Sequence, residues 1–389
     1  MILVTALAAV LLVLGYVLGA AFLGGWQAGF ALALVIWIIL NLVAFFAGDS
    51  ILLAISHAKK VSQEDHPRLY NVVEEMKIAS GLEYMPEIYI IDDPALNAFA
   101  TGRNPKKAAV AITSGLLQKL NRDELQGVIA HEMAHIKNRD VLLMTLCSIL
   151  LGAITILAEM MFWSMLFGGG RSRRSSGGGG GGQAILMLVG ILLMILAPIL
   201  AQLIYFAISR RREYLADASG ALYTRYPEGL ASALEKLGSS TGQLKSATKA
   251  TAPMYIVNPF RKKGMSANDL SSTHPPLSER IRILRSMGGG AGLADYEQAY
   301  EKAHQGGKPL MSATALAGAA AITVSAPVSA DSRSERLDMT RETSDLLWKH
   351  SDHSLVNCEC GTRLRVPPHF KGNSVKCPHC GRINPLPGR

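Results

Sequence analysis

Two histidines four residues apart, with a glutamate beside the first, are the residues of this chain best suited to chemistry. The segment reads His131-Glu132-Met133-Ala134-His135, an H-E-x-x-H pattern. On a helix, positions i and i+4 share one face, so both imidazoles can bind one zinc ion. Glu132 can then take a proton from zinc-bound water and act as the general base. The alternative is a surface helix whose two histidines have no function.

A helix is predicted around this motif, from about Arg122 to about Lys137. Asn121 is a favourable N-cap residue, and Glu124 follows at the spacing of a capping box. Apolar residues at helical spacing then lead into the motif. The elements around the motif are therefore consistent with a positioned metal site.

Short strands are predicted before this helix, over Glu87 to Ile91, Asn97 to Ala100 and Ala108 to Thr113. An extended peptide can pair with an exposed strand edge and present its carbonyl to a metal. Asn97, Ala98 and Phe99 are therefore candidate substrate-binding residues. An ordinary hairpin strand explains the same residues equally well.

A hydrolytic zinc site needs a third protein ligand, and an E-x-x-x-D pattern further along the chain offers one. Glu213 and Asp217 are spaced to lie on one helix face. Glu213 is the predicted third ligand, and Asp217 is predicted to accept the other ring N–H of His131 and so fix its tautomer. Alternatively, both are surface charges of a helix at a membrane boundary.

Four long apolar runs predict a membrane protein. The runs are Ile2 to Phe22, Phe30 to about Ile55, Val141 to Phe167 and Ala184 to Ile208. The first lacks the basic start of a signal peptide, so it is interpreted as an anchor. A loop rich in glycine, serine and arginine, 168–182, joins the last two runs. Those last two runs can also be partly buried helices.

The distribution of basic residues predicts the orientation in the membrane. The net charge is +9, and most basic residues that flank the apolar runs lie on the same side as the H-E-x-x-H motif. They are Lys59, Lys60, Lys137, Arg139 and Arg210 to Arg212, against Arg171, Arg173 and Arg174 on the other side. This pattern favours a multi-pass protein of the cell (inner) membrane, with the metal site and both termini in the cytoplasm. Membrane flanks account for most of the basic excess, so a nucleic-acid partner is not expected.

A second metal site is predicted near the C-terminus, where four of the five cysteines occur in two pairs. Cys358 and Cys360 form a C-x-C pair, and Cys377 and Cys380 form a C-x-x-C pair. Four thiolates complete a tetrahedron, so this zinc would be structural, as in a zinc ribbon. A redox dithiol pair is the alternative. Such ribbons bind protein partners, nucleic acid or no known partner.

The motifs together resemble a known family. The segments that carry the resemblance are Asn97 to Gly102, Glu124 to Asp140, Arg212 to Asp217 and Thr273 to Ile281. In this order they closely resemble the HtpX-type heat-shock membrane zinc metalloproteases, relatives of the CAAX prenyl-protein proteases. The resemblance covers roughly residues 1 to 290. The cysteine-containing tail departs from the usual HtpX pattern.

The resemblance implies a gluzincin endopeptidase that degrades damaged or misfolded membrane proteins under stress. It places His131, His135 and Glu213 on the zinc, Glu132 as the catalytic base and Asp217 behind a zinc histidine. It also implies that His274 and Arg280 lie close to the site. His274 would hydrogen-bond the oxyanion of the transition state, or else serve only as a helix-entry residue fixed by the two prolines that follow it.

The predicted fold is therefore mainly α, with four apolar helices, a zincin-like α+β metalloprotease domain and a small β zinc ribbon. The predicted domains are a transmembrane hairpin over 1–56, a protease domain over 57–140 and 209–290, a second hairpin over 141–208, a linker over 291–350 and the ribbon over 351–389. The predicted function is zinc-dependent hydrolysis of peptide bonds, with one catalytic and one structural Zn²⁺. The alternative is a catalytically silent membrane scaffold that recruits partners through the ribbon.

Overall fold

The structure of the protein is a computed structural model. It describes residues 2–22, 25–167, 180–240, 242, 244–247, 252–259, 274–306, 308–317, 322–325, 340–347, 354–367, 370 and 372–386. Most of the glycine-rich loop predicted over 168–182 lies outside these residues. So do Arg171, Arg173 and Arg174, which were used to predict the orientation in the membrane.

Four long apolar helices form a bundle: α1 (Ile2–Phe22), α2 (Trp26–Ile55), α6 (Asp140–Phe167) and α7 (Gly180–Thr224). Buried leucines of α1 pack against α6 and α7, while α2 exposes many large apolar side chains. By length and composition, one window of the described residues, Trp26–Val43, is apolar enough to cross a membrane. Helices α1 and α2 approach so closely that a Cβ on Gly29 would lie 2.2 Å from the carbonyl oxygen of Gly15.

Helix α7 extends beyond the predicted apolar run, Ala184 to Ile208. The run ends before Arg210 to Arg212, but the helix continues through these arginines to Thr224. Arginine is a good helix former, so the three residues end the apolar stretch without ending the helix. As a result, one continuous helix carries both an apolar segment and the E-x-x-x-D motif.

A four-stranded sheet lies beside the motif helix. Its strands are β1 (Lys59–Lys60), β2 (Glu87–Ile91), β3 (Ala98–Thr101) and β4 (Ala109–Thr113), in the order β1-β2-β4-β3. β2 and β4 are parallel, and β3 pairs with β4 antiparallel. β3 is therefore an edge strand.

Helices α3 (Pro67–Ser80), α4 (Ser114–Lys119), α5 (Arg122–Lys137) and α8 (Pro227–Ser239) complete the core around the sheet. The predicted capping box is present at the start of α5, where Asn121 and Glu124 exchange side-chain and backbone hydrogen bonds. α8 packs tightly on α5, since a Cβ on Gly127 would lie 2.6 Å from the backbone nitrogen of Leu230. Single 3₁₀ turns occur at Pro105–Lys107 and Ala252–Met254.

The region predicted to be a linker over 291–350 differs from that expectation wherever it is described. Helix α9 (Leu277–Arg285) is followed by α10 (Leu293–Ala303), α11 (Ala313–Leu316) and α12 (340–347). Tyr296 and Leu346 are buried in the main core. The buried carboxylate of Glu297 accepts hydrogen bonds from the backbone of Leu310 (2.7 Å) and Met311 (3.0 Å). A few large apolar residues thus attach a segment whose alanine-rich and serine-rich composition suggested a linker.

The C-terminal segment contains two antiparallel hairpins. β5 (Ser354–Asn357) pairs with β6 (Arg363–Val366), and β7 (Ser374–Lys376) pairs with β8 (Ile383–Pro385). Their small core consists mainly of Val356, Leu364, Val366 and two of the cysteines. So small a core requires an additional constraint such as a metal.

Candidate metal centre

His131, His135 and Glu213 converge on one point. The Nε2 atoms of the two histidines, on consecutive turns of α5, are 3.2 Å apart. Glu213, from α7, places its carboxylate oxygens 3.6 Å from Nε2 of His131 and 3.4 Å from Nε2 of His135. A tetrahedron with metal–ligand bonds of about 2.0–2.1 Å has edges of about 3.3 Å. The three side chains therefore fit a zinc ion by donor type and by spacing.

Close packing of α7 on α5 brings Glu213 to the two histidines. At Gly220 the helices are so near that a Cβ would lie 3.3 Å from the backbone nitrogen of His131. Glu213, Asp217 and Gly220 are spaced at three to four residues, so they share the face of α7 that contacts α5. Burial is complete for His131 and nearly complete for Glu213.

Asp217 lies behind His131, with Oδ1 3.0 Å from Nδ1, the ring nitrogen that faces away from the cluster. Arg280 holds this carboxylate in turn, donating from Nε to Oδ2 at 2.8 Å and from Nη2 to Oδ1 at 2.7 Å. Burial would raise the pKa of Asp217, but the charge of Arg280 and the hydrogen bonds from His131 and Arg280 lower it overall. The aspartate is therefore ionised and can orient the imidazole as an N–H donor.

Asp140 lies behind the other histidine. Its Oδ2 is 3.0 Å from Nδ1 of His135, and its Oδ1 forms an ion pair with Nη1 of Arg212. Sequence reasoning missed both residues. Both stand at the ends of segments that carry the family resemblance, and Asp140 is also an acidic residue just after the motif helix, at the start of an apolar run.

Glu132 lies next to the cluster and is almost fully buried. Its Oε1 has no hydrogen-bond partner among the described residues. Burial raises the pKa of Glu132, partly opposed by the two neighbouring histidines. A raised pKa suits a carboxylate that must both accept and return a proton. It faces a cleft whose other walls include Ala100, Val141, Met144 and Met254.

His274 is buried, with Nδ1 3.1 Å from Oε2 of Glu213. It precedes α9 by only three residues. Burial would raise the pKa of Glu213, but the charge of His274 and hydrogen bonds from three histidines hold it well below its usual range. The structure thus places His274 at the cluster, and Arg280 beside it, with Nη1 3.3 Å from Oε2 of Glu213.

The candidate substrate-binding residues already have partners within the chain. The Asn97 side chain donates to the backbone oxygen of Val257 at 2.9 Å. The carbonyl of Ala98 accepts from the backbone N–H of Ile256 at 3.0 Å, and the Phe99 ring packs edge-on against Tyr255. The next residue, Ala100, lines the cleft beside Glu132 instead. Substrate binding by Asn97, Ala98 and Phe99 stays a prediction.

The four C-terminal cysteines form a second cluster. Their sulfur atoms all lie within 4.8 Å of one another, with 3.4 Å between Cys358 and Cys380 and 3.7 Å between Cys360 and Cys377. Zinc–sulfur bonds of about 2.3 Å give tetrahedral edges of about 3.8 Å. Hydrogen bonds with Thr362 and His379 lower the pKa of Cys360 to about 5, which favours the thiolate. The cluster therefore fits a tetrahedral metal.

Glycine permits the turns that bring these cysteines together. Gly361 and Gly381 have φ angles of 83° and 78°, a region that favours glycine. Their backbone N–H groups donate to the carbonyls of Cys358 and Cys377, each at 2.9 Å. Each cysteine pair is thus folded into a tight turn at one end of a hairpin.

Comparison with known proteins places the first cluster within a family domain. The family model described as Peptidase family M48 matches residues 63–288. A protease HtpX homolog of Dictyoglomus turgidum is 46% identical over 262 residues, covering 67% of this chain and 83% of that protein. Another of Pyrococcus furiosus is 44% identical over 275 residues, covering 70% of this chain and 91% of that protein. The cysteine cluster lies outside the segment matched by the family model.

Among solved structures, the crystal structure of S. mikatae Ste24p is similar, with a TM-score of 0.41 and 20% sequence identity. The alignment covers 71% of this chain and 62% of that chain.

Proposed function

This chain belongs to peptidase family M48, and from that premise we propose that it is a membrane-bound zinc endopeptidase acting at His131, His135 and Glu213. The observation that carries the proposal is the convergence of these three side chains at the edge lengths of a zinc tetrahedron, beside the buried carboxylate of Glu132. When bound, zinc supplies a Lewis acid that lowers the pKa of water and polarises a peptide carbonyl.

Glu132 performs the proton transfers in the proposed reaction. Its carboxylate takes a proton from the attacking water and delivers it to the leaving amine. The raised pKa of Glu132, caused mainly by burial, suits a group that must both accept and release a proton. His274 lies at the cluster, where its imidazole can donate a hydrogen bond to the oxyanion as the carbonyl is attacked.

The substrate is proposed to bind as an extended strand along β3. The carbonyl of Ala98 points away from β4, because it accepts from Ile256 on the outer side of the sheet. Backbone direction alternates along a strand, so the backbone groups of Ala100 face the same outer side. Ala100 lines the cleft beside Glu132, which makes it the position nearest the scissile bond. Asn97 to Phe99 then hold this strand in position through their contacts with residues 255–257.

Membrane proteins, particularly misfolded or damaged ones, are the proposed substrates. Glu213 follows the apolar part of α7 by five residues, which is about 8 Å of helix. Val141 and Met144, at the start of α6, line the cleft itself. A cleft this close to apolar helices can reach peptide bonds that emerge from a bilayer. The relatives named protease HtpX homolog support proteolysis.

Four spans, with a cytoplasmic metal site and cytoplasmic termini, are the proposed topology in the inner membrane. The exposed apolar faces of α2 and α7 support contact with lipid. Arg103 supports a membrane–water interface at the C-terminal part of α2, because its guanidinium lies 5.2 and 5.6 Å from the ring centres of Phe45 and Phe46.

The cysteine cluster is proposed to hold a second, structural zinc, and the ribbon is proposed to bind a protein partner.

The experiment is cleavage of casein, and of the chain itself, by detergent-purified protein with and without a zinc chelator. Wild-type protein is expected to produce fragments that the chelator suppresses. Glu132→Gln should keep its zinc and lose cleavage by at least about a hundredfold, since it retains the shape but not the base. A wild-type protein that binds zinc yet cuts neither substrate would contradict the proposal and fit a catalytically silent scaffold.

A further inference from the structure

The contact between His135 and Asp140 is as close as the one between His131 and Asp217. In both pairs the aspartate oxygen is 3.0 Å from Nδ1, the ring nitrogen opposite the metal-facing Nε2. Asp140 is only 2% exposed, so this contact is shielded from water. A buried carboxylate at Nδ1 fixes the tautomer that leaves Nε2 with a lone pair for a metal.

A break between two helices places Asp140 beside the ring of His135. α5 ends at Lys137, and Arg139 adopts the left-handed region with φ 56°. The next residue, Asp140, begins α6. Without this break, a residue five positions after His135 would lie further along the same helix and could not contact the ring in this way.

Arg212 supplies the opposite charge. It forms an ion pair with the oxygen of Asp140 that does not contact His135. Arg280 similarly pairs with Asp217 behind the other histidine. Each histidine of the cluster therefore has an aspartate behind it and an arginine behind the aspartate.

We propose that Asp140 and Arg212 are positioning residues that hold His135 in its metal-binding orientation. The proposal deepens the function proposed above and rests on it. Arg212 directly precedes Glu213 in α7, and Asp140 is the first residue of α6. The ion pair therefore links His135, through Asp140, to the residue next to Glu213. It also joins the start of α6 to α7. A purely structural role, in which the pair only ties α6 to α7, would leave metal binding unchanged once the protein is folded.

The test measures metal binding and not cleavage. Full-length protein in detergent, carrying Cys358→Ser and Cys377→Ser to remove the second cluster, is compared with Asp140→Ala, Asp140→Asn and Arg212→Met in the same background. Zinc affinity is measured by chelator competition, and the cobalt-loaded proteins are compared by visible absorption. Asp93→Ala is the matched control, because Asp93 is a buried aspartate that binds the backbone of Ala95 and Lys245.

Asp140→Ala is expected to lower zinc affinity about 10- to 100-fold and to change the cobalt spectrum. Asp140→Asn keeps an oxygen that can accept from Nδ1, so it should recover much of the lost affinity. Arg212→Met should give a smaller loss in the same direction. Asp93→Ala should reduce the melting temperature without changing zinc affinity or the spectrum.

The proposal is overturned if folded Asp140→Ala binds zinc and cobalt like the wild type, or if it behaves like Asp93→Ala. If Asp140→Ala does not fold, Asp140→Asn and Arg212→Met decide, and wild-type affinity and spectra in both would overturn it. The outcome is distinct from that of the peptidase assay. A protein that binds zinc in the expected Asp140-dependent way but cuts no peptide would contradict the peptidase function alone.

Discussion

Arg280 donates two parallel hydrogen bonds, of 2.8 and 2.7 Å, to the carboxylate of Asp217, and neither side chain is exposed to solvent. Arg280 comes from α9 and Asp217 from α7, so the pair joins the last helix of the family domain to the metal centre. A fork of two N–H donors matches a carboxylate in a way that a lysine ammonium cannot. Asp217 is thereby held charged and aligned with His131.

Replacing Arg280 is therefore expected to damage both stability and metal binding. Arg280→Met leaves the buried charge of Asp217 without its partner, which should cost about 3–5 kcal/mol of unfolding free energy. Arg280→Lys should cost less but still weaken zinc binding, because one hydrogen bond to Asp217 is lost. Denaturant unfolding and chelator competition measure the two effects.

Arg285→Lys is the control for Arg280→Lys. Arg285 lies on the same helix and also contacts carboxylates, those of Glu228 and Glu235, but it is exposed. Its replacement should change stability by less than about 1 kcal/mol and leave zinc binding intact. Equal effects of the two lysine substitutions would contradict a special role for Arg280.

The close approach of α7 to α5 at Gly220 predicts that a larger residue there will disturb the metal centre. In Gly220→Val the added carbons must push against the backbone of His131, which cannot move aside as a flexible side chain can. We expect a loss of about 1–3 kcal/mol in stability and a weaker zinc site, because Glu213 moves with α7. Ser219→Val, one position earlier and partly exposed, should keep wild-type zinc affinity. Normal zinc affinity in Gly220→Val would show that Glu213 is placed by other contacts.

The cysteine cluster predicts a second zinc that is needed for the ribbon and not for catalysis. Cys358→Ser with Cys377→Ser should lower the zinc content from two per chain to one and expose the β5–β6 hairpin to hydrogen exchange, because so small a core depends on the metal. Casein cleavage should persist. Cys147→Ser is the control, since Cys147 is buried in the helix bundle away from the cluster. An unchanged zinc content in the double variant would remove the second site.

His66 predicts a specific dependence of stability on pH. It caps α3 by accepting from the backbone of Leu69, and burial lowers its pKa to about 4. Protonation therefore favours the unfolded chain, whose histidine pKa is 6.5. The stabilisation that comes from neutral His66 is complete above pH 6.5. It is lost as the pH falls toward 4, and the free energy of unfolding falls by about 3 kcal/mol in all.

His66→Asn tests this dependence, because asparagine can cap the helix without titrating. The difference in unfolding free energy between wild type and His66→Asn, measured from pH 7.5 to pH 4, should change in favour of the variant as the pH falls. Changes that affect both proteins, including loss of zinc, cancel in the comparison. A difference that stays constant with pH would show that His66 is not held neutral.

Local patterns allowed much of the fold to be predicted. The bounds of α5 and β2 agree with the sequence, because caps and apolar patterns are encoded in neighbouring residues. The sequence did not predict that one helix joins the apolar run to the E-x-x-x-D motif through Arg210 to Arg212, because a change from apolar to charged residues resembles a helix end. The attachment of the described parts of 291–347 was missed as well, since only a few residues such as Tyr296 and Leu346 carry it.

The sequence by itself determined the two histidines, the glutamate between them and the spacing of Glu213 and Asp217, because each of these patterns lies within a turn or two of one helix. Only the tertiary structure decided that Glu213 meets His131 and His135, since that depends on how two distant helices pack at Gly220. It also decided that Asp140 returns to His135 and pairs with Arg212. That contact requires the helix to break at Arg139 and a partner from another helix, and neither leaves a periodic signal in the sequence.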